Sequence, residues 1–384
     1  MSHRTAGGAA SQEPSPPRRR KGGVLLYGMY DPSAMDRAPK VRIEMMTRAL
    51  SSLTHTERIV GVGRGRAMAT LKWLAGGGPR RVGAVYVESA TTTAMPYDLA
   101  FLLLMRLLRF PVGVYFRDAY QLYRHMYPRR RLRVFSDWAW RLTKPMLARI
   151  ATVRYAQSMG LANVLGLRSP QMLPPGTDPG SPYLGAGSEQ LVAYVGSGGW
   201  ADGFDMLVEA MALVRIQCPD ARLLAVGTGL SAARQAGLPG YVELRRAGRN
   251  ELVDLIRDAR VCVIPRPKTE YTDFVLPIKL WDYLSYGKPI VATAVNETER
   301  LLDGAGAGIV TPDTPEGLAG GIVRMLEDHG LAARYAAAAR AYATAPENTW
   351  DARARTVLES LGVAVTDPEA DSLHGPGSRH GVGG

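Results

Sequence analysis

The chain has 384 residues, 46% of them hydrophobic and 21% charged, with a formal net charge of +12 and two cysteines. That is enough chain for two α/β domains with cores of their own, and the composition excludes fibrous, disulfide-stapled and wholly disordered classes. Cys218 and Cys262 have neither metal-ligand nor disulfide-framework spacing, which points to a reducing compartment. Residues 1–22 are rich in Ser, Pro and Gly and carry Arg18-Arg19-Arg20-Lys21, with no long apolar run after them. They read as a disordered basic tail rather than a signal peptide.

From there strands alternate with helices, the pattern of doubly wound parallel sheets. In the first half, residues 24–27 read as a strand, 41–53 as a helix, and 82–87 as a second strand. The apolar stretch 99–116 contains Arg106, Arg109 and Pro111. It breaks into a helix over 98–109 and a strand over 112–116, and is too interrupted to span a bilayer. A further strand follows at 151–156. Residues 179–190 are Gly-, Ser- and Pro-rich and form a linker. The second half restarts with a strand at 191–195 ending in Gly196, a helix at 204–215, and a strand at 221–226 followed by Gly227-Thr228-Gly229. A helix at 251–259 and a strand at 261–264 stopping at Pro265 come next. Helices at 315–328 and 350–361 close the pattern, and residues 363–384 form a disordered tail. The domain organisation expected is 23–178 and 191–345, joined by the linker, with a final helix in 346–362.

The net charge hides an asymmetry. Residues 1–178 carry 28 Lys and Arg against 10 Asp and Glu, whereas residues 179–384 carry 19 against 25. Within 121–150, eight basic residues meet one Asp, interleaved with Phe135, Trp138 and Trp140. Basic residues mixed with aromatics suit an anionic membrane surface, which points to docking through 124–149. A solvated helix with its Trp residues packed inward fits the composition equally well. Nucleic acid is not an expected partner, because no nucleic-acid motif accompanies the charge.

Residues 276–292, Leu-Pro-Ile-Lys-Leu-Trp-Asp-Tyr-Leu-Ser-Tyr-Gly-Lys-Pro-Ile-Val-Ala, are the most informative segment. Pro277 suits the first turn of a helix, where its missing N–H costs nothing. Leu280, Tyr283 and Leu284 share one side at helical spacing, and Gly287 supplies a left-handed terminator. Residues 290–292 suit a strand covered on both faces. Lys279 and Asp282, three residues apart, share the remaining face. A helix start attracts anions through its free N–H groups and dipole. A diphosphate at that start and a hydroxyl on the carboxylate would be a natural pairing.

The segment from Thr269 to Ala292 resembles the donor-site signature of GT-B glycosyltransferases, most closely the retaining family 4. A Pro-x-Lys-Leu-x-Glu-Tyr run ending in Gly-x-Pro-Val-Val carries that family's ribose-binding acid, here matched by Asp282. The turn over 173–178 and the strand and turn over 308–313 resemble the same enzymes. The resemblance implies two Rossmann-like domains facing a cleft, with a C-terminal helix crossing back to the first. It implies transfer of a sugar from a nucleotide-diphosphate sugar to a glycan, lipid-linked or other glycoconjugate acceptor, with retained configuration. The nucleotide sugar would be a co-substrate, and no cofactor is expected.

On this reading Gly196, Gly227, Gly229, Arg266, Lys279 and Asp282 bind the donor, and Asp118 and Glu270 are the catalytic candidates. Asp118 follows a strand with Arg117, and the two could take acceptor hydroxyls and an acceptor phosphate; an ordinary loop ion pair explains them slightly better. The chain lacks Asp-x-Asp and any His/Cys cluster, so transfer without a metal is expected. Two departures from the family stand out. The stretch 197–203 lacks the usual Arg and Lys phosphate clamp and places Asp202 near the lysine's position. Eight positions before Asp282, where a second acid is usual, stands Phe274, with Glu270 and Asp273 close by. A sugar-nucleotide epimerase of the same fold and a catalytically silent binding subunit are the alternative readings. The place expected is cytoplasmic, peripheral at the inner face of the cell membrane.

Overall fold

A computed structural model of the chain describes residues 22–31, 38–90, 93–123, 133–198, 202–227 and 235–366. The described residues of the first half form β1 (Gly23–Gly28), α1 (Ala38–Leu53), β2 (Thr56–Val60), α2 (Gly63–Ala75), β3 (Val82–Glu88) and α3 (Pro96–Leu107). These are followed by β4 (Val112–Phe116), α4 (Arg133–Ile150), β5 (Val153–Ala156), α5 (Met159–Val164) and β6 (Gln171–Met172). The second half begins with β7 (Glu189–Val195), α6 (Phe204–Gln217), β8 (Arg222–Val226), β9 (Val242–Arg245), α7 (Arg249–Leu255) and β10 (Ala259–Ile264). It continues through α8 (Ile278–Ser285), β11 (Ile290–Thr293), α9 (Asn296–Ala305) and β12 (Gly308–Thr311) to α10 (Pro315–Glu327), α11 (His329–Thr344) and α12 (Trp350–Ser360).

Each half builds a parallel sheet of six strands, in the orders β2-β1-β3-β4-β5-β6 and β12-β11-β10-β7-β8-β9. Every residue of β1, β3, β4 and β10 is buried. Helices cover both faces of a parallel sheet, so its central strands are apolar throughout rather than alternating. The strand order reverses between β1 and β3 in one sheet and between β7 and β10 in the other. Such switch points are where crossovers leave in opposite directions and open a crevice beyond the strands' carboxyl ends.

The chain returns to its first domain at the end. The Trp350 amide donates to the Thr177 carbonyl at 3.2 Å, and α12 then lies against α1. Trp350, Ala354, Val357 and Leu358 join the core of the first sheet with Leu26 and Tyr86. Two further bonds link the halves: Ser158 Oγ donates to the Phe274 carbonyl at 2.7 Å and Tyr271 Oη to Asp118 Oδ1 at 2.9 Å.

The structure differs from the sequence reading in several places. The helix expected over 251–259 ends at Leu255, because Ala259 is already the first residue of β10. The expected linker loses two residues to β7. Residues 363–366 are not tail: Val363 is buried in the first core and the Thr366 amide donates to the Leu53 carbonyl at 2.8 Å. The sequence reading passed over β2, α2, α5, β6, β9, α9 and α11.

Candidate active site

The carboxyl end of the second sheet is shaped by α8 and the loop after β7. Pro277 caps α8, and Gly287 ends it at φ +64°, with the Lys288 amide donating to the Tyr283 carbonyl at 2.9 Å. Leu280, Trp281, Tyr283 and Leu284 are buried on the side facing the sheet. Tyr283 fixes the helix against β7, its hydroxyl accepting from the Val195 amide at 2.8 Å. Lys279 and Asp282 remain at the edge, as their spacing from that apolar side requires.

Lys279 does not project into solvent. Its side chain is 10% exposed, and Nζ lies over the Tyr194 ring at 4.6 Å from the centroid. Asp202 Oδ1 stands 3.7 Å from Nζ. That is close enough for an ion pair and too long for a hydrogen bond. Lys279 Nζ is buried with no hydrogen-bond partner, although an ammonium carries three donors. Burial pulls the lysine's pKa down, and the Asp202 charge opposes that shift. Lys288, nine positions on, shows how a structural lysine is treated in the same fold. It is fully buried, and its Nζ donates to the carbonyls of Arg257 and Ala259 at 2.7 and 2.9 Å.

Arg266 follows β10 at the same edge. It is 8% exposed, its Nε lacks a partner, and one Nη reaches the Val275 carbonyl only at 3.4 Å. Asp202 is held by Ser197, whose hydroxyl donates to Oδ2 at 2.6 Å. Burial raises the Asp202 carboxyl, but Lys279 first and then Arg266 outweigh it and hold the group down at about 2. Asp202 immediately precedes Gly203, the cap of α6, whose backbone sits at φ +71°. A Cβ on Gly203 would fall 1.5 Å from the Pro265 carbonyl oxygen. Only glycine therefore permits the approach that puts Asp202 beside the end of β10. Two helix N-termini, those of α6 and α8, and two poorly bonded cations border this edge.

The other sequence candidates fall as follows. Gly196 and Gly227 are close-packing positions. A Cβ on Gly196 would meet Tyr194 Oη at 2.3 Å and Lys279 Nζ at 3.0 Å, and one on Gly227 would meet the Gly196 carbonyl at 1.8 Å. Their small size is thus already used by the protein itself. Gly229 lies outside the described residues. Asp282 is half-buried on α8. Asp118 accepts from Tyr271 Oη and from the Ala119 amide, and burial raises its pKa. Its carboxylate is therefore part of the contact between the domains. Glu270 is exposed beside that contact. Asp273 is bound to the start of α9 through the Asn296 amide and side chain. Phe274 is 5% exposed and packs its ring against Tyr123 and Tyr271. Phe274, where the family resemblance implies an acid, is an apolar contact with the first domain.

On the opposite side of the cleft Arg117 is taken up by Glu88, at 2.8 Å, and Glu88 also binds Arg42 Nε at 3.0 Å. A small recess with room for about one water-sized group opens beside them, lined by Ser89, Thr93, Arg117, Asp118, Trp140 and Lys144. Among the described residues no group of three or more His, Cys, Asp or Glu is placed to hold a metal ion. Among them, too, no helix is long and apolar enough to cross a membrane.

With this geometry in place, comparison with known proteins defines the class. Residues 189–328, which hold the whole Lys279 site, match the family model of the glycosyl transferases group 1. Sucrose-phosphate synthase from Thermosynechococcus elongatus has the same fold at a TM-score of 0.61 and 16% identity, over 88% of this chain and 97% of that one. WaaG, a glycosyltransferase involved in lipopolysaccharide biosynthesis, aligns at 0.61 and 15% identity over 87% and 99%. HepE from Anabaena, solved with UDP and glucose, aligns at 0.60 and 15% identity over 88% and 99%. No curated protein matches the sequence. The fold is GT-B. The chain is a glycosyltransferase with a group 1 domain at residues 189–328.

Proposed function

We propose that the protein transfers a sugar from a nucleotide-diphosphate sugar to an acceptor presented at an anionic membrane surface. The observation that carries the donor half is Lys279: a nine-tenths buried ammonium with no hydrogen-bond acceptor, at the start of α8 and beside Arg266. Leaving such donors unsatisfied costs free energy, which an incoming diphosphate would recover. Asp282, one turn along α8, suits the ribose hydroxyls, and the UDP in HepE is consistent with that class of donor. In the reaction the bond between anomeric carbon and diphosphate oxygen breaks and the acceptor hydroxyl oxygen takes its place. That hydroxyl loses its proton, and the nucleoside diphosphate leaves with its charge met by Lys279, Arg266 and the helix N-termini. Transfer is expected to retain the donor's configuration, as the family resemblance implies.

The test is incubation with radiolabelled UDP-, GDP- and ADP-sugars and a membrane extract. Release of nucleoside diphosphate with label in the acceptor supports transfer; interconversion of the sugar supports an epimerase. Binding without turnover supports a silent subunit. Asp282→Ala should reduce donor affinity by roughly 1.5–3 kcal/mol, the range for a hydrogen bond to a charged group. Turnover and binding unchanged in that variant would remove Asp282 from the site.

The membrane half rests on α3 and α4, which pack side by side. Phe135, Trp138, Leu142 and Met146 are exposed at spacings of three and four, forming one line along α4. On α3 and its cap, Leu103, Leu104, Leu107 and Leu108 are exposed as well. Arg109, Arg141 and Arg149 are exposed on the same two segments. An apolar stripe with basic residues beside it suits the headgroup boundary of an anionic bilayer. Of the two tryptophans singled out in the sequence, Trp138 faces outward, whereas Trp140 belongs to the core. Arg124 and Arg129-Arg130-Arg131 lie outside the described residues. Co-sedimentation should be strong with anionic vesicles at low salt, weak with neutral ones, and reduced by Phe135→Ser with Trp138→Ser. Equal sedimentation with both vesicle types would sink the membrane reading.

A further inference from the structure

We infer that Asp202 is a resident counter-anion of the donor site: its carboxylate stands at the cations that a donor diphosphate needs, and the diphosphate binds Lys279 against its competition. The inference rests on the donor reading above and adds a residue that the family pattern does not supply. Four observations support it. Asp202 Oδ1 is 3.7 Å from Lys279 Nζ, near enough to compensate its charge without satisfying its donors. The carboxylate is fixed from the other side by the 2.6 Å bond from Ser197. Its backbone is wedged against the end of β10 by the Gly203–Pro265 approach, so it cannot drift away from Arg266 without rearranging the loop. Lys279 and Arg266 both act on it electrostatically.

The arrangement is that of an internal phosphate mimic: one anion beside Lys279 and within the field of Arg266, close to the N-terminus of α6. A mimic of a single negative charge is a poor rival for a diphosphate carrying two or more. It is nevertheless close enough to repel that diphosphate once bound. The donor is then held less tightly than two cations alone would hold it, and so is the nucleoside diphosphate left after transfer. Asp202 therefore tunes release of the charged product, while nucleoside contacts elsewhere are untouched.

Calorimetric titration of the full chain with UDP, GDP and ADP, and with the matching nucleosides, is the test. Asp202→Asn keeps the shape and the Ser197 bond while removing the charge. It should tighten the best-bound diphosphate on the order of tenfold, the equivalent of about one pKa unit of repulsion, and leave the nucleoside unchanged. Ser197→Ala, which frees the carboxylate, should move binding the same way by less. Diphosphate affinity equal in wild type and Asp202→Asn would overturn the inference and leave the donor site standing. Weaker binding in the variant would also overturn it, showing that Asp202 organises the cations rather than competing for them. If no diphosphate binds the wild type, the donor reading falls and the inference falls with it.

Discussion

The two sides of the cleft each bring two cations to one carboxylate, and they treat them differently. In the first domain Glu88 is fully buried and accepts three hydrogen bonds, although Arg42 Nη1 beside it has no partner. It takes Arg42 Nε at 3.0 Å, Arg117 Nη2 at 2.8 Å and the Tyr86 hydroxyl at 2.5 Å. The Arg42 guanidinium also lies 3.6 Å over the Tyr115 ring. In the second domain Asp202 meets Lys279 at 3.7 Å, and the ammonium donates no hydrogen bond. A planar guanidinium can be matched to a carboxylate and sealed in place, whereas an ammonium with spare donors is ready for a further anion. The first cluster ties α1 to β3 and β4, next to the returning Trp350. The second keeps unspent binding capacity at the switch point of its sheet. Charge in a cleft is thus a poor guide to binding until its hydrogen bonds are counted.

The comparison predicts opposite outcomes for similar substitutions. Glu88→Gln strands two buried guanidiniums without a counter-charge and should cost about 3–5 kcal/mol of stability, as loss of one partner from a buried ion network does. Urea denaturation measures this directly. A loss below about 1 kcal/mol would mean that the cluster is not a structural lock, a value typical of exposed pairs. Lys279→Gln should cost less, about 1–2 kcal/mol, because burial of the ammonium offsets its attraction to an Asp202 that is partly exposed and keeps its Ser197 bond. The same variant should bind nucleoside diphosphate about tenfold more weakly, roughly 1.4 kcal/mol, and nucleoside as well as before. Equal losses for both ligands would show that the lysine acts through the shape of α8 alone, and the contrast between the two clusters would lose its functional meaning.

Much of the architecture was legible because it rests on local periodicity. Buried runs such as Val24-Leu25-Leu26-Tyr27 and Val261-Cys262-Val263-Ile264 declare parallel strands, and the turn at Gly287 declares the end of α8. The elements passed over have weaker local signals. β2 is short and carries Glu57 and Arg58; α2 opens on Gly63 and Gly65; α11 is so rich in Ala that no apolar stripe stands out. The exposed leucines of α3 were hidden for another reason, since an apolar helix in sequence reads as core on every side.

The candidate site was legible only in part. Lys279 and Asp282 follow from helical spacing and from the family resemblance, both properties of a short segment. Asp202 appeared in the sequence only as a departure, an acid where a cation is usual. Its partnership with Lys279 spans 77 positions and depends on Gly203 closing onto Pro265. Phe274 likewise read as a missing acid, and in the fold it is a packing residue between the domains. The sequence by itself determined the two α/β halves, the charge split between them and the helix that carries Lys279 and Asp282, because these are set by nearest neighbours along the chain. Which cations are sealed and which stay available was decided only in the tertiary structure. Hydrogen bonds and ion pairs between distant segments depend on ångström-scale distances that no local pattern encodes.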